Sequence, residues 1–181
     1  GGLAGDGLTT GSDNVVLGYA ALSSANAGNR SVAIGSSALN AQNAGSAGQN
    51  MYNTAIGYAA GSAVTTGTTN TLIGGLAGVS LTTGIDNIVM GYNALASEDT
   101  GSRNIAIGKE ALRDLNHNDS SHNIAVGYWA GKTMTTGIRN VLIGGVVGDA
   151  LTTGSSNIAF GYGALSAEDT GSRNVAIGQD A

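Results

Sequence analysis

Asn104-Ile105-Ala106-Ile107-Gly108 is written, with small changes of wording, ten times along this chain. Its first position falls at Asn14, Ser31, Asn53, Asn70, Asn87, Asn104, Asn123, Asn140, Asn157 and Asn174, in steps of 17 residues except for 22 after Ser31 and 19 after Asn104. A fixed period of this length, with one short apolar run per period, is the mark of a solenoid, in which each repeat contacts only its neighbours. Three apolar residues between Asn and Gly are too few for a helix, so the run predicts one strand per coil, stacked in parallel. The Gly that ends it recurs in all ten copies and suits a corner with positive φ.

Alternation within the run then assigns faces. The first site is β-branched throughout, from Val15 to Val175, and the third runs from Leu17 to Ile177. In a strand these two point the same way, which predicts that they form the buried stripe. The middle site would face outward: Val16, Ala33, Ala55, Leu72, Val89, Ala106, Ala125, Leu142, Ala159 and Ala176. None of these ten is polar, and a strand apolar on both faces is covered on both. The expected cover is other copies of the same chain, with the ten middle residues as the interface of a parallel homotrimer.

A second period lies over the first. Residues 53–111 and 123–181 match at an offset of 70, and residues 1–39 match 74–112 at an offset of 73, so residues 1–181 form one rod of about 2.6 four-coil super-repeats. Within it, large side chains trade places. Eight residues after the Asn stand Leu22, Leu39, Gly61, Gly78, Leu95, Leu112, Gly131, Gly148 and Leu165. Where Gly occurs, Val64, Leu81, Met134 or Leu151 follows three later; where Leu occurs, the later site includes Ala25, Glu98 and Glu168. Such an exchange keeps the volume of a close-packed interior constant. Thr-Thr-Gly and Asp-Thr-Gly triplets (Thr65-Thr66-Gly67, Asp99-Thr100-Gly101) read as turns with Gly in the left-handed region. The recurring Asn predicts a side-chain ladder along the axis. Both ends of the sequence fall inside a repeat, as expected of a piece of a longer fibre.

Composition narrows the function classes. The 181 residues hold 31 Gly, no Pro, no Cys, one Trp and one Phe, with a net charge of −5. High Gly without a Gly-X-Y period excludes collagen, and absence of Cys excludes disulfides and thiolate sites. An acidic chain without a basic patch offers nothing to replace phosphate counterions, so no nucleic-acid partner is expected. No apolar run reaches membrane-spanning length, so no membrane insertion is expected, and no leader peptide is expected at residue 1.

Arg30-Ser31-Val32-Ala33-Ile34-Gly35-Ser36-Ser37-Ala38-Leu39 resembles the S-V-A-I-G motif of YadA-like trimeric adhesin heads. Asn53-Thr54-Ala55-Ile56-Gly57-Tyr58-Ala59-Ala60-Gly61 is similar to Gly-rich repeats of bacteriophage tail-fibre proteins. The resemblance covers essentially the whole chain. It implies an all-β, left-handed parallel β-roll that trimerises, displayed outside the cell on a virion or cell surface. Here the coil is longer than the usual adhesin-head repeat, and Asn mostly replaces Ser at its start. The function expected is a shaft or head segment presenting a host-attachment tip. The alternatives are an adhesin head that binds host matrix or carbohydrate, and a monomeric ice-binding solenoid built on the Thr pairs.

Sites are sparse. Tyr19, Tyr58, Tyr92, Tyr128 and Tyr162 follow the corner Gly in every second coil, and read either as an edge ladder packed over Gly75 and Gly145 or as platforms for sugar rings. Glu98 and Glu168 stand four coils apart, roughly 19 Å at about 4.8 Å per coil, too far for a glycosidase pair. With Asp99 and Arg103 they read as solvated ion pairs. No enzyme activity or cofactor is expected. His117, Asp119 and His122 are the only weak metal candidates. They lie in the off-period segment 113–122, which with 40–52 is expected to project from the rod and meet partners.

Overall fold

The computed structural model describes residues 1–24 and 27–181; Ala25, one of the sites in the volume exchange, lies outside them. Ten three-residue strands follow one another: β1 (Val15–Leu17), β2 (Val32–Ile34), β3 (Thr54–Ile56), β4 (Thr71–Ile73), β5 (Ile88–Met90), β6 (Ile105–Ile107), β7 (Ile124–Val126), β8 (Val141–Ile143), β9 (Ile158–Phe160) and β10 (Val175–Ile177). They form one parallel sheet in sequence order, each residue paired with its counterpart one coil on, as in Leu72↔Val89. The chain is an all-β parallel solenoid.

Hydrogen bonding continues around the coil beyond the strands. Three further residues per coil take a left-handed conformation, exemplified by Asp86, Asn93 and Leu95 at φ between 48° and 59°. Each donates its backbone N–H to an adjacent coil: Asp86 to Thr68, Asn93 to Gly75, Leu95 to Ala111. A left-handed non-glycine residue costs roughly 1–2 kcal/mol; the inter-coil bonds hold these corners in place.

The corner glycines have φ near 135°, Gly57 at 138° and Gly74 at 133°. A second constraint accompanies that conformation. A Cβ on Gly57 would lie 2.5 Å from the carbonyl oxygen of Gly74, so the column is glycine because backbone stacks on backbone. The Gly of the Thr-Thr-Gly triplets has the same reason and not the expected one. Gly67 is not left-handed, but its Cβ would meet Gly84 O at 2.5 Å.

The faces of the strands are the reverse of those expected. Ala33, Ala55, Leu72, Val89, Ala106, Ala125, Leu142 and Ala159 have no exposed surface, Ala176 is 8 % exposed, and Val16 packs on the same core. The ten middle residues therefore line the inside of the coil and are not an interface between chains. The first and third sites face out, with Ile88 40 %, Met90 39 % and Phe160 38 % exposed. The Leu at the middle site of β4 and β8 explains the glycines beside it. A Cβ on Gly61 would stand 2.5 Å from Leu72 Cδ1 and one on Gly78 3.0 Å from Leu72 Cδ2. Gly131 and Gly148 relate to Leu142 in the same way. The volume exchange is thus three-way, and Leu22, Leu39, Val64, Leu81, Leu95, Leu112, Met134 and Leu151 are all fully buried in it.

The asparagines form the expected ladder, with the backbone as chief partner. Asn87 Oδ1 accepts from Asn104 N at 2.9 Å, and Asn87 Nδ2 donates to Gly101 O at 3.0 Å.

 Seven asparagines of the ladder are fully buried: Asn53, Asn70, Asn87, Asn104, Asn123, Asn140 and Asn157. An unpaired buried amide costs about 1–3 kcal/mol, so a column in which each amide satisfies the next coil's N–H fixes the register of the stack.

The off-period segments do not simply project. Gln42, Ala44 and Met51 of the first are buried, leaving the tip 45–48 exposed, and Leu115 of the second is fully buried in the core.

Candidate functional site

Each candidate site residue of the sequence lies among the described residues. The five tyrosines are aligned after the corner glycines and are 46–64 % exposed. Tyr92 and Tyr162 lie over glycines of the coil before. A Cβ on Gly75 would be 3.6 Å from Tyr92 Cδ2, and one on Gly145 3.3 Å from Tyr162 Cδ2. The ladder packing is therefore present, and it leaves much of each ring in solvent.

Glu98 is not a solvated ion-pair member. It has no exposed surface, and its carboxylate accepts from Gly101 N at 2.8 Å and from His117 N at 3.2 Å. It stands in the column filled elsewhere by Val64, Leu81, Leu115 and Leu151, which explains its burial. Burial pushes its pKa up, with Asp99 adding to the rise, against the lowering effect of the backbone N–H donors. Arg103 pairs with Asp86 at 3.8 Å and donates to Ser120 Oγ at 2.8 Å. The counterpart Glu168 accepts from Gly171 N at 2.6 Å.

His117, Asp119 and His122 are engaged in local turns. His117 Nδ1 lies 3.5 Å from Asp119 O, His122 Nδ1 3.1 Å from Ser120 O, and Asp119 Oδ1 accepts from Ser120 N at 2.7 Å. Among the described residues no group of three His, Cys, Asp or Glu side chains is placed to hold a metal ion. The leading hydroxyls of the Thr pairs are also engaged: Thr65 Oγ1 donates to Thr82 O at 3.2 Å and Thr82 Oγ1 to Asp99 O at 2.8 Å.

The outer face of the sheet carries exposed apolar side chains. Ten strands span nine steps, roughly 43 Å at about 4.8 Å per step. The first and third sites make two parallel columns along that length. Their members include Ile56, Ile88, Met90, Ile143, Ile158 and Phe160, all between 36 % and 40 % exposed. Contiguous exposed apolar surface of several hundred Å² marks an interaction site.

No family model matches the sequence, and no curated protein or solved structure is significantly similar to it. Among the described residues, no helix is long and apolar enough to cross a membrane.

One cluster draws together residues that the 17-residue period does not align. On the coils of β6 and β7, Lys109, Glu110 and Arg113 lie beside Tyr128, Trp129 and Lys132. Tyr128 and Trp129 stack with centroids 4.6 Å apart, Lys132 Nζ lies 3.6 Å from the Trp129 centroid, and Lys132 reaches Glu110 at 3.1 Å. The signal available was the single Trp of the chain, standing where neighbouring coils have Glu110 and Val146.

Proposed function

We propose that this chain is a structural segment of a homotrimeric surface fibre, non-enzymatic, that holds an attachment tip away from a virion or cell. The observation that carries this reading is the double column on the outer face of the sheet, apolar except at Thr54 and Thr71. A soluble rod gains by burying such a face, and a closed ring of identical chains buries it on every member. Three parallel copies is the stoichiometry implied by the resemblance to adhesin heads and phage fibres. The copies would meet through Ile88, Met90, Ile158, Phe160 and their column mates, the face opposite to the one expected from the sequence. The stiffness needed of a spacer is supported by hydrogen bonds running round each coil and by the buried Asn ladder.

The same rod in an adhesin head would contact host matrix or carbohydrate directly, a reading supported by the solvent-facing tyrosine row. No nucleic acid is assigned as partner.

The test is a double variant, Ile88→Lys with Phe160→Lys. Both side chains face outward, so each coil keeps its core, while like charges are placed in every interface. The reading predicts that circular dichroism remains that of the unaltered chain while sedimentation velocity shows dissociation to monomer. An unchanged sedimentation coefficient, with unaltered chain and variant both oligomeric, would overturn the assignment of this face.

A further inference from the structure

The cluster around Trp129 differs in kind from the repeat that carries it. Its six principal residues occupy three columns on two adjacent coils: Lys109 beside Tyr128, Glu110 beside Trp129, Arg113 beside Lys132. The equivalent coils of β2 and β3 hold Ser36, Ser37 and Asn40 beside Tyr58, Ala59 and Ser62. Only the tyrosine is common to both. Three of the seven Lys and Arg residues of an acidic chain stand here.

Ion pairing does not account for this concentration. Partly exposed ion pairs contribute little. Trp129 also buries its indole Nε1 without a hydrogen-bond partner, which costs free energy.

The charges leave one cation over. Arg113 is held by Asp114 through two bonds, at 2.6 and 2.5 Å, and also reaches Glu110 at 3.2 Å. Lys132 is held by Glu110 at 3.1 Å and by the face of Trp129. Partial burial pushes the Glu110 carboxyl up, but the hydrogen bond and charge of Lys132, with Lys109 and Arg113, bring it below the usual value and keep it ionised. Lys109 has only a long ion pair, 3.9 Å to Glu110, and its side chain is 50 % exposed. Its ammonium stands 5.9 Å from the Tyr128 centroid, so it borders that ring without closing it. Tyr128, backed by Trp129, is 46 % exposed.

We propose that Tyr128, Trp129 and Lys109 form a binding site for an anionic saccharide of the uronic-acid class. The apolar face of the pyranose ring would lie on Tyr128, held flat by the Trp129 stack. The carboxylate would pair with Lys109, the cation not already neutralised. Arg113 and Lys132, through Glu110, fix the platform rather than contact the ligand. The site is separate from the sheet face assigned to self-association and does not rest on that assignment.

The test is titration of the whole chain with oligogalacturonate, followed by the fluorescence of Trp129. Because it is the only tryptophan, the signal is local to the site. A neutral gluco-oligosaccharide of equal length and a flexible polyanion without rings, polyphosphate, are the comparisons. The proposal predicts a saturable change with oligogalacturonate alone, weakened at least tenfold by Lys109→Gln and by Tyr128→Ala, with Tyr92→Ala leaving it unchanged. Lys109→Arg should restore most of the loss seen in Lys109→Gln. The proposal is overturned by no saturable change, by an equal response to polyphosphate or to the neutral sugar, or by a response that Lys109→Gln leaves intact. Circular dichroism of each variant identifies a folded protein before it is scored; if Tyr128→Ala does not fold, the Lys109 pair of variants decides.

Discussion

Gln42 fills, beside Ser31, the place that an asparagine amide takes in the other coils: its Oε1 accepts from Asn53 Nδ2 at 2.8 Å and its Nε2 donates to Ser31 Oγ at 3.1 Å. Ser31 is the one member of the column that is not Asn, and it precedes the longest step of the repeat. Both residues are fully buried. The departure at position 31 is compensated by an amide brought in from the off-period segment. Gln42→Ala should cost about 1–3 kcal/mol, the range for a buried polar group left without its partner. Ser31→Asn added to it should recover at least half of the loss. Urea unfolding midpoints of the three chains check this; a neutral Gln42→Ala would contradict it.

Leu72 and Gly61 are predicted to be energetically coupled. Leu72→Ala should cost about 2–5 kcal/mol as a buried cavity. Gly61→Ala alone should also destabilise, since its Cβ would stand 2.5 Å from Leu72 Cδ1. In the Leu72→Ala background that collision is gone, and only the left-handed backbone cost of about 1–2 kcal/mol should remain. A double-mutant cycle measures the difference; strict additivity would contradict this packing.

Two neighbouring glycines should respond oppositely. Gly74→Ala places a Cβ 2.6 Å from Gly91 O on a backbone at φ 133° and should unfold the coils around it. Gly75→Ala meets Tyr92 Cδ2 at an ordinary 3.6 Å and should stay within about 0.5 kcal/mol, as surface changes do. Thermal melts of the two variants decide.

Glu98 should make stability fall as pH rises. Its carboxyl binds its proton more tightly in the folded chain, mainly because it is buried. Between the ordinary carboxyl value of 4.5 and the raised folded value, the folded state therefore holds more proton than the unfolded state, and unfolding free energy drops with pH. Glu110 works in the opposite sense, but its window lies below 4.5, so the two do not overlap. Glu98→Gln should flatten the decline above 4.5, seen in melting temperatures taken upward from that pH. An identical slope in the variant would contradict it.

The strand positions, their parallel stacking and the need for corner glycine were legible because a 17-residue period aligns like with like. The facing of the strands was misread. Both faces are apolar, and the β-branched first site follows strand preference rather than burial. The deciding signal was present in Leu72 and Leu142, each flanked by the glycines that stand eight residues after the Asn in its own coil and in the coil before. Only a residue inside the coil would require that space. Glu98 was misread because a carboxylate in a core column is unusual, and its partners are backbone N–H donors, of Gly101 and His117, that no side-chain pattern reveals. The Trp129 cluster joins residues 19 apart across the irregular step, so the regular period did not bring them into view.

The solution mass of the unaltered chain, by light scattering on a sizing column, tests the central claim most directly. The account predicts a folded species near three times 17.7 kDa, with the outer columns of the sheet covered. A folded monomer would show that this apolar face stands in water, and the fibre reading would fall.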